Sequence, residues 1–237
     1  MEFGPLARLQ LFDTPTICNA LELIDSTRRN YGYTTRNMLA VNPSIGPVVG
    51  YARTATMRSE QPSSLSTEEL KAARLDYYEY MYEDVAVPKI CVMQDLDKDD
   101  SRHGPFWGEF NTRIHRVMGF RGIVTDGCVR DIRKLPSDVF LLSRGLRPSH
   151  ANVHITSFGE PVEVFGMAVR PDDVVHADEH GAVCFPAKYV EIVANKAVEF
   201  MATEAPIIDA CKKEDLSLDE LRRLYLARSD GLERRQS

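Results

Sequence analysis

The sequence predicts one α/β domain followed by helices. Three observations carry that reading. Over the first two-thirds of the 237 residues, stretches with helical periodicity alternate with short runs rich in β-branched residues. Between about residues 139 and 185, short apolar runs follow one another closely, as in a β-rich meander. Beyond Pro186 two further helical patterns close the chain.

The elements follow in order. Asp13 or Thr14 can cap a helix over 14–29, with Pro15 in its first turn, Ile17, Leu21 and Ile24 at helical spacing, and Gly32 beyond its end. Residues 47–57 read as a strand and 59–66 as a polar loop with Pro62. Ser66 and Glu69 form a capping-box pattern that opens a helix to about Tyr82. Residues 88–94 are a short apolar run, a buried strand, followed by the polar loop 95–105. A helix over 106–118 stops at Gly119, a residue suited to the left-handed position after a helix. Residues 122–125 form a strand, and Asp126-Gly127 a tight turn. Short strands are expected near 139–142, 153–156, 161–165, 173–176 and 182–185, then helices over 187–202 and 218–228. Ser217 and Glu220 repeat the capping pattern, and 233–237 read as a frayed tail.

Composition narrows the function. Twenty-nine Lys plus Arg against 35 Asp plus Glu give a net charge of −6, which argues against a dedicated nucleic-acid binder. No run approaches eighteen apolar residues and the first ten residues lack a secretion-signal pattern, so the expectation is a cytoplasmic protein without a membrane partner. Cys18, Cys91, Cys128, Cys184 and Cys211 are far apart, which suits reduced, buried thiols better than a disulfide framework or zinc cage. No phosphate-binding glycine motif is present.

The most informative stretch runs from Trp107-Gly108-Glu109 through Gly119 and Gly122 to Asp126-Gly-Cys-Val-Arg-Asp131. Ligands of open α/β sheets gather at the carboxyl ends of strands, and a helix start lies on the same side as the end of the strand that follows it. Glu109, Arg130 and Asp131 are therefore expected at one edge. Adjacent Arg and Asp side chains do not normally face each other, so two tasks are expected: a guanidinium for a carboxylate or oxyanion, and a carboxylate for Mg²⁺. The plain alternative is a pair of surface ions at a helix start. His150 and His154 have the spacing of a helical metal pair, but on a strand that spacing is about 13 Å, too far for one ion. The acidic run Asp95, Asp97, Asp99, Asp100 reads as a solvated loop, and His103 as a surface histidine that could reach substrate. Tyr77, Tyr78, Tyr80 and Tyr82 lie on one helix, either over the core or, slightly favoured, at a subunit interface.

The spacing Gly108-Glu109, twenty residues, Arg130-Asp131, with Asp126-Gly127 before it, resembles the RraA-like family. That family holds class II 4-hydroxy-4-methyl-2-oxoglutarate/4-carboxy-4-hydroxy-2-oxoadipate aldolases and regulators of ribonuclease E activity. Further pieces are 13–21, Gly50-Tyr-Ala-Arg-Thr54, Val164-Phe-Gly166 and 169–186. The resemblance implies a swivelling-domain α/β/α sandwich with C-terminal helices: a catalytic domain at 1–204 and a helical extension with tail at 205–237. It implies a homotrimer or homohexamer with active sites between subunits. Asp131 would ligate Mg²⁺ or Mn²⁺ directly and Glu109 through water. Arg130 would polarise the keto oxygen of a 2-oxo acid, and the amides of Phe110 and Asn111 would receive its carboxylate. A neighbouring subunit would lend a glutamate, Glu199 or Glu204. The implied reaction is metal-dependent aldol cleavage or decarboxylation of a small 2-oxo (di)carboxylic acid through a pyruvate enolate. The alternative is a non-catalytic regulator of the ribonuclease E inhibitor type. The family's Gly-rich loop is replaced by the acidic 95–105 segment with His103, and its Pro-Gly-Asp turn by Pro171-Asp172-Asp173. Asp131, which the ribonuclease regulators lack, favours an enzyme.

Overall fold

The computed structural model describes residues 5–83, 86–97, 104–213 and 215–236. His103, Asp99 and Asp100 lie outside the described residues. A short helix α1 (Pro5–Leu9), which carries no cap or long periodicity to announce it, precedes α2 (Thr14–Ile24). Asp13 caps α2, accepting from the Thr16 amide at 2.9 Å. The helix stops five residues earlier than its periodicity suggests. Asp25 turns extended, and its carboxylate captures the Thr27 amide to start a 3₁₀ turn over Ser26–Asn30.

Strands β1 (Leu39–Ala40), β2 (Val48–Arg58) and β3 (Lys89–Asp95) follow, with α3 (Thr67–Tyr82) between the last two. The capping box forms in full: the Glu69 amide donates to Ser66 and the Ser66 amide to Glu69. Then come α4 (Glu109–Val117), β4 (Phe120–Thr125), β5 (Cys128–Val129), β6 (Phe140–Ser143) and β7 (Gly145–Leu146). The meander supplies β8 (His154–Phe158), β9 (Val162–Val164), β10 (Met167–Val169), β11 (Val174–Asp178) and β12 (Gly181–Phe185), and α5 (Val190–Cys211) and α6 (Leu218–Gln236) end the chain. Helix α5 continues well past residue 202, with Pro206 inside it. It buries Val193, Ala194, Ala197, Phe200, Thr203 and Ala210, so packing along the whole helix outweighs the hydrogen bond that proline removes.

The main sheet runs β1-β6-β4-β3-β2-β11-β12, with β8 pairing the far half of β2. The four strands β2, β3, β4 and β6 are parallel, so their carboxyl ends share one edge. The segment before β1 closes the sheet. Tyr33 bridges Val183 on β12, and six residues later Leu39 pairs with Ser143 on β6, so one stretch touches both ends of the strand order. The result is a curled, near-barrel sheet. Alternation along the strands divides the core accordingly. Val48, Ala52, Ile90, Val92, Val124 and Leu142 face inward, where β9 and β10 cover them. Outward-facing Ala55, Cys91, Met93 and Ile123 lie under α3 and the α4 region, while Val49, Val174, Val183 and Phe185 lie under α1, α2 and α5.

Three local expectations are corrected. The tyrosines of α3 serve mainly this chain's own interior: Tyr77 is fully buried, Tyr80 stacks on Phe158 and carries Arg53 on its face, and Tyr82 alone is fully turned to solvent. Asp95 and Asp97 are buried rather than solvated. Asp97 accepts the amides of Ser59 and Glu60 and holds its carboxyl below the usual range through those bonds, against the cost of burial. Of the five free cysteines, Cys91, Cys128 and Cys184 are buried, but Cys211 is exposed. In the turn before β11, Asp172 occupies a left-handed conformation (φ 66°), where the family has glycine; Asp tolerates that region better than most residues.

Candidate active site

At the carboxyl edge of the parallel strands, Asp126 ties two strand ends together: its carboxylate accepts the Asp95 amide at 2.8 Å. The chain then turns through Gly127 into β5. Trp107 pairs with Val129 as an isolated bridge, and the Arg130 amide donates to the Trp107 carbonyl at 2.9 Å. That pairing explains why α4 begins at Glu109 and not at Phe106: Phe106 and Trp107 are held extended. It also sets Gly108 against Arg130 and Asp131. A Cβ at Gly108 would lie 2.8 Å from Asp131 Oδ2 and 3.0 Å from Arg130 Cγ, so any larger residue must push those two side chains aside. Asp131 itself is left-handed (φ 55°), and its carbonyl accepts the Lys134 amide as a 3₁₀ turn begins. Such a conformation costs about 1 kcal/mol or more in a residue other than glycine, and it collects at functional sites.

Arg130 and Asp131 do face each other, against the expectation for neighbours in sequence. The left-handed backbone turns Asp131 back, leaving Arg130 Nε 3.4 Å from Asp131 Oδ2, with about a third of each side chain exposed. Both line a cavity of about 250 Å³, together with Gly108, Phe110, Asn111, Arg74 and His150. The first amides of α4 open beside it. Gly108 caps that helix without a side chain, so the amides at the helix start have no partner on the helix itself. Asn111 is spoken for at its side chain, which donates to the Phe106 carbonyl at 2.7 Å and accepts from Tyr78 at 2.8 Å.

The wall behind the cavity is aromatic and neutral. His115 is fully buried among Tyr77, Phe106, Trp107 and Phe120. Its Nδ1 lies 2.7 Å from the Asn111 carbonyl, which can only accept, so Nδ1 carries the proton and Nε2 accepts from the Tyr77 hydroxyl at 2.7 Å. Burial pushes the His115 pKa down to about 4 and the Tyr77 pKa well up, so both stay uncharged near neutrality. The Trp107 Nε1 donor is buried without a partner.

Of the residues singled out from sequence, Arg130, Asp131, Phe110 and Asn111 meet at this cavity. Glu109 stands next to it but does not line it: its carboxylate accepts from Arg113 Nε, one turn on, at 3.0 Å. Glu199 pairs with Lys196 and Glu204 with Arg228. His150 and His154 do not converge; His154 bonds the Asn152 carbonyl, while His150 sits at the cavity rim. Arg74 and the cavity-lining role of His150 were not legible in the sequence, because each reaches the site through tertiary packing with no local motif.

The donor set suits a hard cation. Asp131 offers a carboxylate at the cavity, Glu109 beside it can add a second only by leaving Arg113, and Mg²⁺ typically takes one or two carboxylates and keeps several waters. Among the described residues, the one group of three potential ligands within metal-binding reach is Asp178, Glu179 and His180, at the β11–β12 turn. There the Asp178 oxygens already accept the Thr14 and His180 amides. A larger cavity of about 690 Å³ lies between α2, β10 and β12, but it is mostly apolar, and Arg28 and Arg170 share its lining with Asp25 and Asp173.

A curled mixed sheet with C-terminal helices is the fold of an RraA-like protein. The RraA-like family profile (Aldolase/RraA) matches residues 14–184, and the chain belongs to that family. It is 29% identical over 159 residues to a protein of Halalkalibacterium halodurans named "Putative 4-hydroxy-4-methyl-2-oxoglutarate aldolase", covering 66% of this chain and 68% of that one. It is 26% identical over 124 residues to Protein DlpA of Legionella pneumophila, covering 51% of this chain but spanning only 20% of DlpA. Its fold matches Streptomyces coelicolor RraAS2, described as an unusual member of the RNase ES inhibitor RraA protein family, with a TM-score of 0.65, 23% identity, and coverage of 85% of this chain and 93% of that one. No helix among the described residues is long and apolar enough to cross a membrane.

Proposed function

We propose that the chain is a carbon–carbon lyase of small 2-oxo acids, dependent on Mg²⁺ or Mn²⁺. The observation that carries this is the Arg130–Asp131 pair, turned inward by a left-handed Asp131 and seated against Gly108 at the mouth of a small cavity. Asp131 would hold the cation, with Glu109 acting through its water. A divalent cation there supplies the Lewis acid that draws electrons toward the 2-oxo group. The amides of Phe110 and Asn111 receive the substrate carboxylate at the start of α4. Arg130 donates to the keto oxygen. As the C3–C4 bond breaks, its electron pair moves into the C2–C3 bond, and negative charge grows on that oxygen, where the guanidinium stabilises it. If CO₂ leaves, a proton added at C3 gives pyruvate. If a carbonyl compound leaves, the C4 hydroxyl must also lose its proton.

Glu109 must swing away from Arg113 to take its role. An exposed i,i+4 pair of this kind is worth only about 0.3–0.5 kcal/mol, so the move is cheap. The same observation favours a second reading, a non-catalytic regulator in which Glu109 never turns inward. Exposed Val198, Met201, Ile208, Leu218, Tyr225 and Leu226 on α5 and α6 support self-association; in the homotrimer or homohexamer that the family resemblance implies, Glu199 or Glu204 would reach a neighbouring site. Pyruvate release from oxaloacetate and from a 4-hydroxy-2-oxo acid tests the lyase reading. Release above the protein-free rate should require Mg²⁺ or Mn²⁺ and stop on chelation. No pyruvate from either substrate, with retention of a protein partner, would favour the regulator.

A further inference from the structure

Arg74 is the charge in this cavity that the chemistry above leaves unused. It projects from α3 and lines the same space as Arg130 and Asp131. Its guanidinium lies over the Phe106 ring, 4.6 Å from the centroid, which fixes its plane. Its polar contacts are weak: Nη1 is 3.5 Å from the Tyr78 hydroxyl and 3.5 Å from Asn111 Oδ1, the outer limit for a hydrogen bond. Both of those oxygens are better engaged with each other at 2.8 Å. Among the described residues no carboxylate lies within ion-pair distance of Arg74; the nearby acids Glu109 and Asp131 pair with Arg113 and Arg130.

The described residues behind Arg74 do not balance its charge. Tyr77 and His115, its buried neighbours, are both neutral near pH 7. Among the described residues, two guanidiniums and one carboxylate therefore line about 250 Å³, before any cation is added. A guanidinium held half-buried against an aromatic ring, with open donors, is suited to a carboxylate. The 2-oxo-acid end of a substrate is accounted for by Arg130, Asp131 and the start of α4. Arg74 stands on a different element, α3, and would meet the other end.

We propose that Arg74 determines specificity in this site: its guanidinium receives the distal carboxylate of a 2-oxo dicarboxylic acid whose 2-oxo-acid end lies at Arg130 and Asp131. The inference rests on the lyase reading for the position of that first end. It assigns to Arg74 the preference for a 2-oxo acid with a second carboxylate over one with an apolar tail.

Calorimetric titration of the full chain in Mn²⁺ tests it without turnover, using two probes of equal chain length: 2-oxoglutarate, with a distal carboxylate, and 2-oxopentanoate, without one. The wild-type chain should bind 2-oxoglutarate about tenfold or more tightly than 2-oxopentanoate, the weight of one charge-assisted hydrogen bond. Arg74→Met, which keeps the stem over Phe106, should remove most of that preference while leaving 2-oxopentanoate affinity within about threefold. Arg74→Lys keeps the charge and should retain part of the preference, so the comparison stands even if the methionine variant folds poorly. Equal affinities in the wild type, or an unchanged preference in both variants, would overturn the role of Arg74 while leaving the 2-oxo-acid site intact. Failure of both probes to bind would overturn that site reading and the inference with it.

Discussion

At position 108 the smallest added side chain reaches the proposed chemistry. A methyl group there would stand 2.8 Å from Asp131 Oδ2 and press on Arg130 Cγ, both of which must move. Gly108→Ala should therefore lower kcat/KM by about tenfold, since both side chains must shift by a few tenths of an ångström at the reacting centre, with little change in Tm. Steady-state kinetics beside a thermal melt checks this; unchanged kinetics would mean that Asp131 has no catalytic position to lose. His115 makes a prediction about stability. Its folded pKa, about 4, lies below its ordinary 6.5, so the unfolded chain binds the proton more readily between those values. The stabilisation is complete above about pH 6.5 and declines as pH falls toward 4, by up to ~3 kcal/mol. Buried His176, also shifted down, acts in the same direction. Urea unfolding from pH 7 to 4.5 should show this slope, and His115→Gln should flatten it.

Elements whose signals are local are legible in the sequence alone. The capping box at Ser66 and Glu69, the Asp13 cap and the left-handed Gly119 after α4 each depend on residues within one turn. Ser66→Ala should cost about 1 kcal/mol in urea unfolding, since it strips one amide of its acceptor at an exposed helix start. Elements that depend on distant pairing are misjudged or missed. The start of α4 moves from 106 to 109 because Trp107 is claimed by Val129, twenty-two residues on. The two-residue strands β1, β5 and β7 carry no pattern of their own and exist only through their partners. The candidate site divides in the same way. Arg130 and Asp131 stand out because they are adjacent and follow a strand and turn. Arg74 comes from α3, and nothing around it in sequence points to Phe106 or Asn111. The inward turn of Asp131 depends on a backbone angle that no residue pattern announces.

For the whole molecule, the parallel order of the strands inside a closed sheet is what assembles the site. Residues 33–39 join the two ends of the strand order, and the parallel strands within it bring Asp95, Asp126 and the Arg130–Asp131 segment to one edge. The net charge of −6 does not describe that edge, where among the described residues two arginines and one aspartate line the cavity, and a divalent cation would make it more positive still. An anionic substrate is thus compatible with an acidic chain, because steering follows the local field. The central claim is that Asp131 holds the cation on which cleavage depends. Its most direct test is pyruvate formation from oxaloacetate by the wild-type chain and by Asp131→Asn, matched for fold by circular dichroism, each with Mn²⁺ and with excess chelator. Decarboxylation needs no hydroxyl proton removed, so the measurement isolates this step. The account predicts Mn²⁺-dependent pyruvate release above the protein-free rate with the same metal by the wild type, and none above that rate by Asp131→Asn. Release above the protein-free rate that is equal in Asp131→Asn, or that persists in chelator, would contradict it.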